Sequence, residues 1–297
     1  MNTTCSDYKV YFWRNLMTYK IIGDSCMDLI EQDRMDSHIQ LIPLTLQVDE
    51  KQFIDDETFS QADFLRAVAA SPNCPKSACP SPNMFLEAYK ASDVSMIFVV
   101  TLSQHLSGAY NSAEVARQMY EEESHCDGKK IAVISSDSAS VGESLIAFEI
   151  RRMAEDGADF EHIMQKIGEF VKSMQTYFVL ESLEALRKNG RLTGIQAFFA
   201  SALNIKPIMG ADSGHIIKKD QARGMNRALN RMVEILIKEV PDSENKSLGI
   251  AHCNCPERAE FVKNLLLQKG KFRDVYITNT AGVATLYASD GGIIVCC

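Results

Sequence analysis

Residues Ser95–Tyr120 read SMIFVVTLSQHLSGAYNSAEVARQMY, and this stretch decides the fold class. Ser95–Thr101 is a short, almost unbroken apolar run rich in β-branched and aromatic side chains, the pattern of a strand buried on both faces. The polar link after it, Leu102–Gly108, carries Ser103, Gln104, His105, Ser107 and Gly108. A helix then fits Ala109–Tyr120, with small Ala109 and Ala113 in its opening turns. A buried strand that feeds a helix through a short link is half of a βαβ unit, whose strands run parallel.

The same grammar repeats on either side. Upstream, Tyr19–Gly23 is a strand that stops at Asp24-Ser25. Ile39–Val48 partly alternates and contains Pro43, which suits an edge strand or a bend. Glu57–Ala70 reads as a helix with Phe64, Leu65 and Val68 on one side, and Ser71–Pro82, with four prolines, as a loop. Downstream, the strand Lys130–Ser135 runs into Ser135-Ser136-Asp137-Ser138 and then a helix over Val141–Glu155. Asp156-Gly157 breaks the chain, and the expected domain boundary lies there. It separates an N-terminal extension (1–16) and a first α/β domain (17–156) from a second α/β domain (157–297). The second half opens on a helix over Phe160–Met174. A strand (Tyr177–Leu180), a helix (Ser182–Lys188) and a turn at Asn189-Gly190 follow. After the uncharged stretch Leu192–Ile205 come a strand pair near Ile208–Lys219, a helix over Met225–Glu239, strand–helix–strand from Leu248 to Thr278, and a last strand at Ile293–Cys297.

Composition narrows the function. Of 297 residues, 46% are hydrophobic and 24% charged, so the chain can bury a full core without disulfides or a metal. The formal net charge of −8 repels phosphate backbones, and basic residues are only scattered, as at Lys218–Lys219 and Arg223–Arg227, which argues against nucleic acid. No apolar run reaches the ~18–20 residues of a membrane span. Met1–Leu16 lacks the basic start, apolar stretch and small-residue site of a secretory signal, so a cytoplasmic location is expected. Nine cysteines without a repeated CxxC pattern read as reduced, often buried thiols, and no metal site is expected from their spacing.

Three candidate strands end in the same chemistry: Asp24-Ser25, Thr101 to Gly108, and Ser135 to Ser138. In a parallel sheet these ends converge on one edge, the place where open α/β sheets bind ligands, and helix N-termini there suit an anion. Ser25 with Asp28 and Ser140 with Glu143 each have capping-box spacing. Gly108 allows close backbone approach after Ser107. Asn189-Gly190 reads as a helix end from which Arg191 leaves, able to pair with a carboxylate or phosphate. In LTGIQAFFASALNI, Phe198 and Phe199 alternate with small residues such as Ala202, which is consistent with a buried helix or the wall of a tunnel.

These pieces, in this order, resemble the DegV family over nearly all of residues 17–297. The matching residues are Asp24-Ser25-x-x-Asp28-Leu29, the loop Ser77–Pro82, Leu106-Ser107-Gly108-x-Tyr110-x-Ser112-Ala113, and Asp137-Ser138. The longest motif is Leu183-x-x-Leu186-x-Lys188-x-Gly190-Arg191, continued by Ile205-Lys206-Pro207-Ile208 and followed by Gly214 and Arg223. The resemblance implies a Rossmann-like N-terminal domain on a parallel sheet and a C-terminal α/β domain on a mixed sheet. It also implies one long-chain fatty acid held between them, with no cofactor and no catalysis by the chain itself. Some members of the family present the acid to a fatty acid kinase. By the same resemblance, the carboxylate-binding residues are Ser77, Ser103, Gln104, Gly108 and Tyr287. Asp24, Ser25, Ser107, Arg191 and Arg223 support them or face a partner, and Phe198, Phe199 and Ala202 line the acyl tunnel. Ser77 stands where the family has a threonine, and Ser103-Gln104 where it has two serines. Where the family has a histidine before Gly-Pro-Gly, this chain has Leu286-Tyr287-Ala288-Ser289-Asp290-Gly291, so Tyr287 takes the donor's place.

Two rival classes are considered. A binder of another small amphiphile would use the same tunnel. A hydrolase or phosphotransferase would need a G-x-S-x-G elbow or a GxxxxGK[ST] loop, and the sequence contains neither. His105 and His252 lack an acid at motif spacing and read as structural.

Overall fold

The computed structural model of the chain describes residues 19–124, 128–192 and 204–297. The first domain is built on four parallel strands in the order β2-β1-β6-β7: β1 (Tyr19–Asp24), β2 (Ile39–Ile42), β6 (Met96–Thr101) and β7 (Lys130–Ser135). Central β1 and β6 are buried almost throughout, which is why they read as unbroken apolar runs rather than alternating ones. Register pairs Ile21 with Ile39 and Phe98, and Val100 with Ile134, so Asp24, Thr101 and Ser135 end side by side at the carboxyl edge of the sheet.

The Pro43 bend divides the predicted Ile39–Val48 run into β2 and β3 (Thr45–Val48). Strand β3 is the middle of a small antiparallel sheet, with β4 (Lys51–Ile54) on one side and β5 (Lys76–Ala78) on the other. Lys76–Ala78 thus turns part of the Pro-rich segment, expected to be loop, into strand: its residues meet Thr45–Gln47 across the ladder, a long-range partner invisible in local sequence. Between β1 and β7 the chain also forms α1 (Glu31–Arg34), α2 (Gln61–Ala70), α3 (Pro82–Ala91) and α4 (Ala109–Ser124). Helix α2 begins at Gln61 because the Ser60 hydroxyl accepts the Asp63 N–H.

Helix α5 (Val141–Glu155) lies between the two domains and is buried on opposite sides. Its Ile146, Ala147, Ile150 and Met153 join the core of the first sheet, while Val141 and Leu145 pack on Ala251 and Cys296 of the second. Gly249 makes that approach possible: a Cβ there would stand 2.6 Å from a Val141 methyl. Helix α6 (Phe160–Ser173) buries Ile163 and Ile167 in the first domain's core, so the chain enters the second sheet only at β8 (Thr176–Val179). The break at Asp156-Gly157 is a helix–helix turn, and the change of sheet comes after α6.

The second sheet runs β10-β9-β8-β13-β11-β12, with β9 (Ile205–Asp212), β10 (His215–Arg223), β11 (Ser247–His252), β12 (Asp274–Asn279) and β13 (Ile293–Cys296). Among the described residues of this sheet, only β11 and β12 pair in parallel. Helices α8 (Met225–Glu239) and α9 (Pro256–Lys269) cover one face with Leu229, Met232, Val233, Val262 and Leu266. The other face meets α5, α7 (Glu184–Lys188) and α10 (Gly282–Ala288). Phe198, Phe199 and Ala202 lie outside the described residues.

Candidate functional site

Between the sheets lies a cavity with a volume of ≈ 100 Å³ for the centre of a water-sized sphere. Its wall is almost entirely apolar. Leu102 and Leu106 come from the link after β6, Phe178 and Leu180 from the end of β8, Ile216 from β10 and Ile294 from β13. None of the six reaches it through a local pattern; the two sheets bring them together.

A more polar recess adjoins the cavity and shares part of its wall. Leu102, Leu106, Arg191, Val283 and Tyr287 line both, and Ser77, Ser107, Gly108 and Cys79 line only the recess. Here the Ser77 and Tyr287 hydroxyls lie 2.9 Å apart. Ser77 arrives on β5, held to β3 opposite Leu46, and Tyr287 on α10. The Arg191 guanidinium lies 5.5 Å from the centre of the Tyr287 ring and donates through Nε to the Leu106 carbonyl at 3.1 Å. Its Nη1 donates to the Asn189 carbonyl at 2.6 Å, so the Asn189-Gly190 helix end fixes the side chain at its root. Gly190 has φ +76, the left-handed turn that lets the chain leave α7 at this angle. Gly108 stands just before α4, and a Cβ on it would come within 3.0 Å of the Cys79 sulfur. Burial raises the Tyr287 phenol above its ordinary pKa, against the pull of the Ser77 hydrogen bond and the Arg191 charge. The phenol therefore stays protonated at neutral pH and can donate. An apolar cavity ending in two hydroxyls and a guanidinium can hold an amphiphile with one anionic end.

The other expected binding residues sit elsewhere. Ser103 is fully buried and its hydroxyl donates to the Gly214 carbonyl at 2.8 Å, tying the first domain to the β9–β10 turn. The Gln104 side chain is exposed, and its N–H donates to the Ser135 hydroxyl. Arg223 is exposed at the end of β10 and lines neither space. Asp24 is buried, its carboxylate accepting the Cys26 and Leu102 N–H groups at 3.0 and 2.9 Å.

Neither predicted capping box forms. The Ser25 hydroxyl donates to Asp55 and accepts the Leu44 N–H; the Ser140 hydroxyl donates to Asp28 at 2.5 Å, and Ser140 itself has φ +59. Asp28 accepts the Ala281 N–H, and Asp55 accepts those of Gly282 and Val283. Two carboxylates of the first domain thus occupy the N-terminus of α10 in the second. That anion-binding end is satisfied within the protein. Burial pushes the Asp28 carboxyl up to about 7 despite these donors.

Sequence reading missed α10, which carries both Val283 and Tyr287 to the site. Its seven residues are too short for a helical period, and only the polar Thr280 and Ser289–Asp290 flanks bound it. His105 stacks on His215 with ring centres 3.8 Å apart, and the buried His252 accepts the Cys255 N–H through Nδ1.

The chain matches the family model described as "Uncharacterised protein, DegV family" over residues 18–296. The chain belongs to the DegV family. A DegV domain-containing protein of Streptococcus gordonii is 31% identical over 281 residues, covering 94% of this chain and 98% of that one. Among solved structures, a DegV family protein of Ruminococcus gnavus ATCC 29149, refined with vaccenic acid, is 44% identical with a TM-score of 0.91, covering 95% of this chain and 100% of the other. The Streptococcus pneumoniae Fatty Acid Kinase (Fak) B3 protein, loaded with linoleic acid, is 29% identical with a TM-score of 0.84, covering 94% and 99%. The DegV frame of a parallel sheet followed by a mixed one is the architecture described above. No helix among the described residues is long and apolar enough to cross a membrane.

Proposed function

We propose that this DegV protein binds one long-chain fatty acid, with the acyl chain in the inter-domain cavity and the carboxylate at the recess formed by Ser77, Gly108, Arg191 and Tyr287. The observation that carries the reading is the junction of the two spaces: an apolar channel that ends at two hydroxyls and an arginine. Each buried methylene contributes about 0.8 kcal/mol, so the tail supplies most of the affinity. The buried head needs its donors to offset desolvation, and they fix its direction. The relatives solved with vaccenic and linoleic acid support the ligand class.

The reading gives the chain no catalytic residue. Chemistry on the carboxylate belongs to a fatty acid kinase that takes the bound acid as substrate, a role supported by the likeness to the Fak B3 protein. To test it, the purified protein is denatured, extracted with organic solvent and examined by mass spectrometry. A near-stoichiometric fatty acid is expected. An empty extract, together with no change in melting temperature on adding oleate, would overturn the reading. Acyl phosphate formed by a fatty acid kinase from the loaded protein tests the partner separately.

A further inference from the structure

Behind the cavity wall, Asp24, Cys26 and Glu143 form a cluster in which one carboxylate oxygen of each acid and the Cys26 sulfur all lie within 4.8 Å of one another. All three residues are buried. Asp24 ends β1, Cys26 follows it in the loop, and Glu143 comes from the first turn of α5, the helix held between the two sheets. Neither Glu143 oxygen meets an N–H or hydroxyl donor, although the residue has no exposed surface; its polar neighbours are Asp24 and Cys26, the other two members of the cluster. A buried carboxylate without such a donor is costly to keep charged, and burial, with the Asp24 charge beside it, pushes the Glu143 carboxyl well above its ordinary value. The surroundings deepen the cost: Asp28 and Asp55 also lie buried nearby, and the donors that Asp24, Asp28 and Asp55 meet are backbone N–H groups and serine hydroxyls, all uncharged.

We propose that Asp24, Cys26 and Glu143 form a binding site for a divalent, thiophilic transition-metal cation of the zinc type. One thiolate with two carboxylates is a donor set for zinc or cobalt(II), and the sulfur disfavours magnesium and calcium. Bonds of about 2.0 Å to oxygen and 2.3 Å to sulfur require the three donors to draw closer than they now stand. Each Asp24 oxygen keeps a second lone pair beyond its backbone N–H, so coordination leaves those bonds in place. Cys26 and Ser140 also line the inter-domain cavity, which sets the cluster beside the space assigned to the acyl chain. A proton shared between Asp24 and Glu143 would neutralise one carboxylate only; a divalent cation would engage the Cys26 sulfur as well. The ligands lie far apart in sequence, so no spacing motif announces them.

The test is cobalt(II) substitution of the full chain after dialysis against a chelator, read by elemental analysis and near-ultraviolet absorption. About one retained equivalent and a thiolate-to-cobalt charge-transfer band are expected, with both lost in Cys26→Ser and in Glu143→Gln. A folded natural protein that retains no cobalt and shows no band overturns the proposal, as does a band that survives in both variants. If a variant fails to fold, X-ray absorption of the natural protein decides: one sulfur among oxygen ligands is expected, and two or more sulfurs overturn the site. An infrared carbonyl stretch of a protonated carboxyl that persists with cobalt present and vanishes in Glu143→Gln would assign the cluster to a shared proton instead. Fatty acid content, measured on the same samples, reports on the lipid reading independently of the metal.

Discussion

Two polar regions at the domain junction use similar residues to opposite ends. In the seam, Asp28, Asp55, Ser25 and Ser140 sit at strand and helix ends and spend their hydrogen bonds on one another and on the N-terminus of α10. In the recess, Ser77, Arg191 and Tyr287 meet beside an apolar cavity and stay half-buried. The difference shows that residue type does not separate structure from binding. What separates them is whether a donor is left over: the seam donors all end on buried carboxylates, whereas the Ser77–Tyr287 pair uses only one of its two hydroxyl hydrogens on itself.

The sharpest way to break this comparison is Asp55→Ala. It removes the acceptor for the Ser25 hydroxyl and for two backbone N–H groups at the start of α10, at about 1–3 kcal/mol for each buried donor left unmatched. Denaturant unfolding should show a loss of several kcal/mol; a loss near zero would mean that the seam does not hold the domains. Next in size is Arg191→Ala, which takes a charged donor from the recess. A direct titration should find fatty acid affinity weakened about 10- to 100-fold, the equivalent of 1.5–3 kcal/mol. Unchanged affinity would move the head group away from this recess.

Tyr287→Phe removes one neutral hydroxyl and keeps the ring, so affinity should fall by about 10-fold or less with stability almost unchanged. Ser103→Ala gives the mirror image. Its hydroxyl holds the Gly214 carbonyl, so about 1 kcal/mol of stability should go while affinity stays within about 3-fold. A large affinity loss there would place Ser103 with the recess and blur the comparison.

The smallest expected effect concerns pH. Burial holds the Asp55 carboxyl above its ordinary value of 3.8 despite three donors. The folded state therefore binds this proton more tightly than the unfolded state does. The group's contribution to stability is fully present below the unfolded pKa and is lost as pH rises through the folded one. Melting temperatures of Asp55→Asn and the natural protein, compared from acid to neutral pH, should show a flatter profile for the variant. Parallel profiles would mean that Asp55 titrates alike in the folded and unfolded states, its three donors offsetting its burial.

Much of the fold was legible in the sequence because a strand buried on both faces has no choice but to be apolar. Tyr19–Gly23, Ser95–Thr101 and Lys130–Ser135 announce the parallel sheet in this way, and Asn189-Gly190-Arg191 announces a helix end with an arginine leaving it. Local signals misled where a distant partner outweighed them. Ser25–Asp28 and Ser140–Glu143 have capping-box spacing, yet their side chains bond across the junction, since a buried acceptor on another element outweighs an exposed cap. Lys76–Ala78 became strand for the same reason. The recess was half legible: Ser77, Gly108, Arg191 and Tyr287 were marked by the DegV resemblance and do meet, whereas Ser103 and Gln104 were marked and do not.

By itself the sequence determined the class: alternating strands and helices, and the motifs of a fatty-acid-binding family. Only the tertiary structure decided which polar residues remain open to a ligand, because hydrogen-bond saturation depends on contacts between residues far apart in the chain. It also decided that α5, shared by two sheets, carries Glu143 into a buried place beside Asp24 and Cys26. No local pattern of residues records what a neighbouring domain brings against it.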